Sequence, residues 1–556
     1  MTTNPDARNP VRRLLSLAPA FALCLAGTLA ATLAAAAPLV AQGTTRSASH
    51  ARRLRVIVTG DLHGSLSPYV DARGYRSGGL AGTAAAVEQA RRECVAPACI
   101  SLLVDAGDML SGTPESDLTH GREAADAFAA MQYDALAPGN REFDWGIDTL
   151  AARVRGARLP LLGANVTRVN GAPLPWLPGD KIVRRGGLAV GIIGIASQLT
   201  AQTTNPDYVA ALRFDDPAAT VDVRAKSLRA RGAQIVIVLS HAGVRCEGNL
   251  YGVATGAPSE RCEGEALGAI ARLTRPVDLW VGGHTHQKAA IWLDSTFFIS
   301  SAANGRSISI VDVPVDEAGE AMKADVVANA REVDERMDAR HVPVVDSIVA
   351  VASARAEVYL AQPVATLAVP LERTGAQYPL GNLITDAQRW AGKGDFAVTN
   401  NSGIHAGLGG GIATYKSIYD VQPFGNTLYK LTIQGAAVRA YLEAIVGADA
   451  LIRHVSGATV VYDPARPSGS RITEVRLADG RLLADSATYT IVMNDYVRTM
   501  MIERTLGESV LDMTSLPIND RDAFIAYLKQ LPQPVRAPRE VRMRAAAAGA
   551  AVSPNR

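Results

Sequence analysis

The chain has 556 residues, too many for one ordinary domain, and 48% of them are hydrophobic, which excludes a disordered chain. Its 56 basic and 54 acidic side chains give a net charge of only +2. This balance argues against a nucleic acid polymer or an acidic membrane surface as partner. Aromatic residues make up only 5%, which argues against base stacking along a single strand as the main activity.

Residues 1–41 are predicted to be a signal peptide. Arg8, Arg12 and Arg13 form a basic start, and the next 28 residues, 14–41, are uncharged and rich in Ala and Leu. The alternative is a retained membrane anchor, because about 20 apolar residues can span a bilayer. Two prolines within the segment argue against an anchor. We therefore expect an exported protein of the periplasm or cell surface, without membrane attachment after cleavage of the signal.

Four cysteines follow this segment: Cys94, Cys99, Cys246 and Cys262. An even number of cysteines in an exported protein indicates disulfide bonds. Three connectivities are possible, and short loops favour Cys94–Cys99 with Cys246–Cys262. Buried free thiols are the alternative. A zinc cluster is not expected, because the chain has no CxxC pair.

The first large region, predicted to span residues 52–328, alternates short apolar runs with helical patterns. The runs that we predict as buried strands are Val56–Val58, Leu102–Val104, Val190–Ile195, Ile235–Leu239 and Leu279–Val281. Helical patterns such as Ala81–Arg92 and Ala219–Arg231 lie between them. This alternation predicts a layered α/β domain.

The rest of the chain is predicted to form three further parts. Residues 329–362 are rich in charge and predict a helical linker, and residues 363–541 predict a second α/β domain. Its expected strands are Phe396–Thr399, Thr427–Ile433 and Thr488–Met493, and its expected helices are Leu380–Ala391 and Ala436–Ile445. The Ala-rich end, residues 542–556, is predicted to be a loose tail.

Four of the apolar runs of the first region, all except Val190–Ile195, are each followed by a glycine-containing turn with Asp, Asn or His, and so is a further run, Tyr133–Leu136. These polar residues are Asp61, His63, Asp108, Asn140, His241, His284 and His286. In an open α/β sheet, sites gather at the carboxyl ends of the strands, so we expect the five turns to meet at one edge. We expect four of the remaining histidines to lie on the surface: His50, His120, His341 and His454.

These seven side chains suit divalent metals. Imidazole and carboxylate groups bind Zn, Mn, Fe or Co, and seven donors are enough for two ions with open positions. Two ions about 3.5–4 Å apart are a common arrangement for hydrolysing phosphate esters, because they generate hydroxide and neutralise developing charge. A single Asp-x-His after a strand is a weak signal, and the combination of all five turns supports the prediction.

The motifs resemble the 5′-nucleotidase family of the calcineurin-like metallophosphoesterases, of the exported bifunctional UDP-sugar hydrolase and 5′-nucleotidase type. The matching runs are residues 60–64, 107–108, 139–144, 240–241 and 282–286, followed in the second half by 380–387, 399–404, 423–427 and 494–496. The resemblance implies a layered metallophosphoesterase β-sandwich flanked by helices, plus an α/β 5′-nucleotidase C-terminal domain. It also implies release of phosphate from nucleotides, by attack of metal-bound hydroxide, between the two domains.

The resemblance assigns roles to individual residues. One metal would be held by Asp61, His63, Asp108 and His286, and the other by Asp108, Asn140, His241 and His284, with Asp108 shared. Asn140, Arg141 and Asp144 would act in catalysis. The residues implied to bind the substrate are Arg373, Asn401, Gly403, His405, Phe424, Asn426 and Tyr496. Phe424 and Tyr496 would sandwich the base, although Phe424 could instead be a core aromatic residue.

Three positions depart from the family pattern. Arg141 replaces a His that stabilises the transition state, His405 replaces a phosphate-binding Arg, and Arg498 begins a run that replaces a glycine-rich segment. An arginine cannot give up a proton near neutral pH. Slower turnover, or a substrate with a better leaving group, is therefore expected. The alternatives are a hydrolase of cyclic nucleotides, UDP-sugars or other esters, and, in another class, a catalytically weakened nucleotide-binding protein.

Overall fold

The computed structural model describes residues 52–70, 73–246, 262–338, 340–446, 453–501 and 509–546. The predicted signal peptide and His50 lie outside these ranges. Within them, every helix is too short or too polar to traverse a lipid bilayer. Both cysteine pairs favoured by loop length are bonded, Cys94 with Cys99 and Cys246 with Cys262.

Two stacked sheets form most of the first half of the chain. The first sheet has five strands, in the spatial order Val327–Glu332, Ser307–Pro314, Arg53–Thr59, Cys99–Asp105 and Ala135–Leu136. The second has six strands, in the order Ala289–Leu293, Thr296–Ser300, Leu279–Gly282, Ile235–Ser240, Leu188–Ile195 and Asp180–Arg185. The strands that precede the five turns run parallel to one another within each sheet, so their carboxyl ends lie on one side.

Side-chain alternation along the strands explains the layering. Leu54, Val56 and Val58 enter the core between the sheets, whereas Ile57 faces the helices outside the first sheet. The helices packed on that outer face are Leu80–Arg92, Arg122–Met131, Gly146–Ala157 and Pro343–Leu360, and those on the second sheet are Pro217–Ala230 and Glu265–Ala271. The expected β-sandwich flanked by helices is confirmed. The five turns come from two stacked sheets, so the rule for a single open sheet describes only part of their arrangement.

The second half is an α/β arrangement, as expected. Its main sheet has the strand order Arg453–Ser456, Phe396–Asn400, Thr488–Asn494, Thr427–Gln434 and Val510–Asn519. A smaller sheet contains Ile472–Leu477, Ala458–Tyr462 and Met543–Ala545. The longer helices of this half are Pro379–Gly392, Gly435–Val446 and Asp520–Gln530.

The remaining elements are short. Paired short strands are Tyr69–Val70 with Arg76–Ser77, Val166–Arg168 with Leu212–Phe214, Arg245–Cys246 with Cys262–Glu263, and Pro363–Leu367 with Gly411–Thr414. Short α-helices are Pro114–Asp117, Thr200–Thr203, Pro206–Val209, Glu335–Asp338, Tyr415–Val421 and Asp495–Met501. The 3-10 turns are Arg141–Phe143, Lys323–Asp325 and Asn401–Gly403.

Two segments differ from their predicted structure at the proposed domain boundaries. The predicted helical linker starts at residue 329, but Val327–Glu332 is an edge strand of the first sheet, and the linker helix is Pro343–Leu360. The predicted loose tail starts at residue 542, but Met543–Ala545 pairs in parallel with Ala458–Tyr462. The division into domains itself stays a prediction.

Candidate active site

The five turns converge on one side of the sandwich. From the first sheet, Asp61 and His63 follow Arg53–Thr59, Asp108 follows Cys99–Asp105 and Asn140 follows Ala135–Leu136. From the second sheet, His241 follows Ile235–Ser240, and His284 and His286 follow Leu279–Gly282. The site is therefore built across the open ends of both sheets.

Side chains from the two sheets approach within contact distance. His241 Nε2 lies 3.2 Å from Asp108 Oδ2, and His63 Nε2 lies 2.9 Å from His286 Nε2. Two groups of side chains place all their potential ligand atoms within 4.8 Å of one another, and Asp61 belongs to both. They are Asp61, His63 and His286 on one side, and Asp61, Asp108 and His241 on the other. This donor set suits two cations of the first transition row or zinc.

His284 lies against the second group, and Asn140 is buried on the turn after Ala135–Leu136. His284 Nδ1 lies 3.3 Å from His241 Nε2. The Asn140 amide donates through Nδ2 to the carbonyl oxygen of Thr203 at 3.4 Å, whereas its buried Oδ1 has no hydrogen-bond partner among the described residues. A buried amide oxygen without a donor is costly unless a cation takes it as a ligand. The residues present therefore fit the metals that the sequence predicts.

Hydrogen bonding also sets the ring orientation of His241. Its Nδ1 lies 2.9 Å from the carbonyl oxygen of Ala106, which can only accept, so Nδ1 carries the proton. The Nε2 lone pair is left facing the carboxylates of Asp108 and Asp61. Metal-binding histidines are commonly held in this way.

The backbone of the turns is strained where the predicted ligands stand. Five of them have positive φ angles: Asp61 at 53°, His63 at 51°, Asp108 at 56°, His284 at 73° and His286 at 58°. Residues other than glycine rarely adopt this conformation, and where they do the surrounding structure has to enforce it. Such outliers cluster at functional sites.

Glu142 supplies part of that enforcement. Its buried carboxylate accepts the backbone N–H groups of Asp108 at 2.8 Å, Met109 at 2.8 Å and Gly139 at 2.7 Å. Burial raises the pKa of Glu142 to about 8. The sequence places Glu142 within a matching motif but gave it no role, because only the folded chain shows which backbone groups it holds.

Burial and mutual charge dominate the electrostatics of the site. Burial raises the pKa of Asp61 to about 7 and lowers that of His63 to about 3 and of His284 to about 4. Burial also opposes protonation of His241, but the carboxylates of Asp108 and Asp61 outweigh it and raise the pKa of its imidazole to about 10. The buried Asp108 carboxylate beside the neutral imidazoles of His63 and His284 forms an environment that favours a cation.

Arg141 and Asp144 border these residues. The Arg141 backbone N–H donates to Asp108 Oδ1 at 2.8 Å, and its guanidinium lies 3.4 Å from Asp144 Oδ2. Ser111 Oγ donates to the same Asp144 oxygen at 2.7 Å. The negative charge of Asp144 raises the pKa of Arg141 above its ordinary value. The guanidinium is therefore a fixed positive charge beside the predicted metal ligands.

The structure brings two pairs of the predicted substrate-binding residues into contact. Phe424 and Tyr496 are 50% and 49% exposed, so Phe424 is not a core residue. The His405 ring meets the Phe424 ring edge-on at 4.9 Å. Arg373 donates to the carbonyl oxygen of Asn401 at 3.4 Å.

Two other predicted residues serve local structure. Gly403 ends the turn Asn401–Gly403. Asn426 is buried, and its backbone N–H and its amide donate to the Asp520 carboxylate at 2.9 Å and 3.2 Å. Base contact by Asn426 stays a prediction.

A cavity of about 420 Å³, called the interface cavity below, lies between the two halves. Arg141, Asp144 and Trp145 line it from the first half, and Phe424 and Arg521 from the second. Phe424 also contacts His405. Phe424 and Arg141 therefore border one common space, whose lining among the described residues includes none of the predicted metal ligands.

Parts of the chain match two known protein families, and most of the chain is similar to several known proteins. Residues 54–288 match calcineurin-like phosphoesterase, and residues 363–501 match the 5′-nucleotidase C-terminal domain. Endonuclease YhcR of Bacillus subtilis is 27% identical over 521 residues, which are 89% of this chain but 41% of that protein. Thus the chain spans less than half of that relative's length.

Two further proteins are similar to this chain over most of its length and most of their own. Snake venom 5′-nucleotidase of Naja atra is 26% identical over 456 residues, or 71% of this chain and 80% of that protein. The crystal structure of a 5′-nucleotidase precursor from Thermus thermophilus covers 89% of this chain and 99% of its own, with a TM-score of 0.62 and 25% identity.

Proposed function

Because the chain belongs to the calcineurin-like phosphoesterases and carries a 5′-nucleotidase C-terminal domain, we propose that it is an exported enzyme that releases phosphate from nucleotides with two bound divalent ions. Membership in this family makes it a phosphoric ester hydrolase. The nucleotide substrate, the pair of ions and the export are the parts that we propose.

The convergence of the five turns carries this proposal. Asp61, His63, Asp108 and His286 would hold one ion, and Asp108, Asn140, His241 and His284 the other. Two such ions, when bound, activate a water molecule and neutralise charge on a phosphate. The 3.2 Å approach of His241 to Asp108 supports this arrangement, since these residues come from different sheets.

Arg141 would stabilise the negative charge that grows on the phosphate oxygens. Its guanidinium offers several donors in a fixed plane, and Asp144 and Ser111 restrict where that plane lies. Because arginine stays protonated, it stabilises charge but donates no proton to the leaving group.

Exposed aromatic rings support a nucleotide as the substrate. Phe424 and Tyr496 present about half of their surface to solvent, and Phe424 shares the interface cavity with Arg141. Stacking on such rings suits any base and contributes about 1–3 kcal/mol per base. The similarity to 5′-nucleotidases of Naja atra and Thermus thermophilus agrees with this substrate class.

Export is supported by the composition of residues 1–41 and by the two disulfides. Disulfide bonds form and persist mainly in oxidising compartments. The periplasm or cell surface therefore remains our proposed location.

A second candidate substrate is an ester with a better leaving group, such as a cyclic nucleotide or a UDP-sugar. Arg141 favours it, since an ester with a poor leaving group would lose the about 10²–10⁴-fold contribution of a general acid. The relative YhcR is an endonuclease by name, which adds diesters within nucleic acids to this second candidate. The net charge of +2 and the 5% aromatic content of this chain disfavour a nucleic acid substrate.

A substrate panel on the purified chain separates these candidates. It compares AMP, 2′,3′-cyclic AMP, UDP-glucose, a DNA oligonucleotide and ribose 5-phosphate, which lacks a base. We expect AMP to be hydrolysed with Mn²⁺ or Zn²⁺ present, and the variant Phe424→Ala to raise the KM for AMP about tenfold, given the energy of one stacked base.

The same variant should leave ribose 5-phosphate hydrolysis unchanged, because that substrate has no base to stack. Trp390→Ala, at an exposed aromatic residue outside the cavity, is the matched control. Preference for the cyclic nucleotide, UDP-glucose or DNA would replace the first candidate by the second, and tight AMP binding without turnover would indicate a nucleotide-binding protein.

A further inference from the structure

Residues 199–205, called the bridge segment below, connect to the predicted metal ligand Asn140. Asn140 Nδ2 donates to the carbonyl oxygen of Thr203 at 3.4 Å, and the buried Thr204 hydroxyl donates to the Asn140 carbonyl oxygen at 2.7 Å. The side chain and the backbone of Asn140 are thus both tied to this segment. It has no motif that marks it in the sequence.

The same bridge segment is held from the second half of the chain. Arg498 donates through Nη2 to the carbonyl oxygen of Gln202 at 2.7 Å. Arg498 is only 8% exposed, and its guanidinium stacks 4.4 Å from the centre of the Tyr429 ring. Ser515 Oγ lies 3.5 Å from Asn205 Oδ1 and adds a second contact.

We infer that Arg498 is a positioning residue: by holding the bridge segment, it orients the Asn140 amide so that Oδ1 faces the metal-ligand cluster. This inference rests on the proposed function, since it assigns Asn140 to a metal. It also gives a role to the residue that replaces the family's glycine-rich segment.

The chemistry of the amide explains why the bridge segment matters. The Thr203 carbonyl oxygen can accept only from Nδ2, so this bond leaves Oδ1 to point the other way. Groups that orient a metal ligand typically contribute about 10–100-fold to metal affinity or activity. Arg498 reaches the bridge with a charged donor, and Tyr429 behind it restricts its movement.

The consequence is coupling between the two halves of the molecule. Docking of the second half through Arg498 and completion of the Asn140 ligand set become one event. The hydrolysis rate of a small aryl phosphate should then depend on Arg498 as well, although this substrate has no base to be recognised.

The test uses the full chain and the variants Arg498→Ala, Arg498→Lys and Thr204→Val. Mn²⁺ binding to metal-depleted protein is measured by titration calorimetry, and hydrolysis of p-nitrophenyl phosphate supplies kcat and KM separately. The matched control is Arg471→Ala, an arginine of the second half that donates to the carbonyl oxygens of Val446 and Arg466.

We expect Arg498→Ala to weaken one of two Mn²⁺ sites about tenfold and to lower kcat by a similar factor with little change in KM. Arg498→Lys should recover part of both. Thr204→Val should shift Mn²⁺ affinity and kcat in the same direction. The double variant of Arg498→Ala and Thr204→Val should lose less than the sum of the two single-variant effects. Arg471→Ala should change neither quantity.

The inference is overturned if Arg498→Ala binds Mn²⁺ as the wild type does or if only the KM for p-nitrophenyl phosphate changes. It is also overturned if the effects of Arg498→Ala and Thr204→Val add in the double variant. If the wild-type chain hydrolyses no ester, the proposed function fails, and the Mn²⁺ titration still decides the role of Arg498. Should Arg498→Ala not fold, Arg498→Lys and Thr204→Val carry the same comparison.

Discussion

Arg141 decides what chemistry the site offers at the scale of single residues. Its backbone binds Asp108, its guanidinium is held beside Asp144, and it lines the interface cavity. It brings permanent positive charge to the place where the family has a histidine that can also exchange a proton. The site therefore combines strong charge stabilisation with no proton donor at this position.

The variant Arg141→His tests this account of the residue. We expect the ratio of kcat/KM for AMP to that for p-nitrophenyl phosphate to rise at least about tenfold, because a general acid helps a poor leaving group most. Arg153→His, on the neighbouring helix, is the control. An unchanged ratio would show that the missing proton donor does not limit the reaction.

His454 shows where the sequence misleads at this scale. We expected it on the surface, as His120 and His341 are, but it is fully buried against Gly381 and Tyr378. Neither ring nitrogen has a hydrogen-bond partner among the described residues. Burial, and then the charge of Arg542, lower the pKa of His454 to about 4. A polar residue inside a core breaks the pattern from which burial is predicted.

A pH dependence of stability follows from His454. Between its unfolded pKa of about 6.5 and its folded pKa of about 4, the unfolded chain binds more protons, so this residue costs stability as the pH falls. Urea unfolding at pH 7.5 and pH 5 should show a smaller loss for His454→Phe than for the wild type. The exposed His341→Gln is the control, and equal losses in the wild type and His454→Phe would exclude this role.

At the scale of elements, the conformation of the turns, more than that of the strands before them, fixes the positions of the predicted ligands. A Cβ atom on Gly139 would overlap both Oδ1 and the backbone nitrogen of Asp108. The sequence predicts that glycines allow tight turns here, but it does not show which atom each glycine makes room for. Gly139 is required because the Asp108 carboxylate lies directly against it.

Gly139→Ala should therefore displace Asp108. We expect at least about a hundredfold loss of turnover together with weaker Mn²⁺ binding, since a misplacement of about 1 Å can already cost about a hundredfold in rate. Gly156→Ala has open space around its Cβ and lies within the helix Gly146–Ala157, so it should keep activity and unfold no more easily. Full turnover of Gly139→Ala would contradict the assigned position of Asp108.

The strands themselves were largely predictable, and the way they assemble was not. All five predicted apolar runs of the first region lie within observed strands, because continuous burial of Val, Ile and Leu marks a covered strand. The same pattern fits one open sheet or two stacked sheets, so it could not divide the turns between them. Val327–Glu332 and Met543–Ala545 were missed because edge strands and charged or Ala-rich segments lack that pattern.

At the scale of the whole molecule, function depends on how the two halves meet. Tyr419 of the second half donates its hydroxyl to the Gly112 carbonyl oxygen at 2.7 Å, and Arg498 holds the bridge segment. These contacts bring Phe424 into the same cavity as Arg141. Local sequence patterns carry no information on such long-range contacts, so the sequence predicted the ligands and the aromatic rings but not the bridge to Asn140.

The central claim is that the five turns bind a pair of cations and hydrolyse phosphate esters with them. The most direct measurement is metal content and phosphate release from AMP by the same preparation, before and after chelation and after return of Mn²⁺ or Zn²⁺. We predict two ions per chain, loss of hydrolysis on chelation and its recovery when two ions are restored. Phosphate release from AMP at the full rate by metal-free protein would contradict this claim. So would phosphate release that saturates with AMP while no ion is bound.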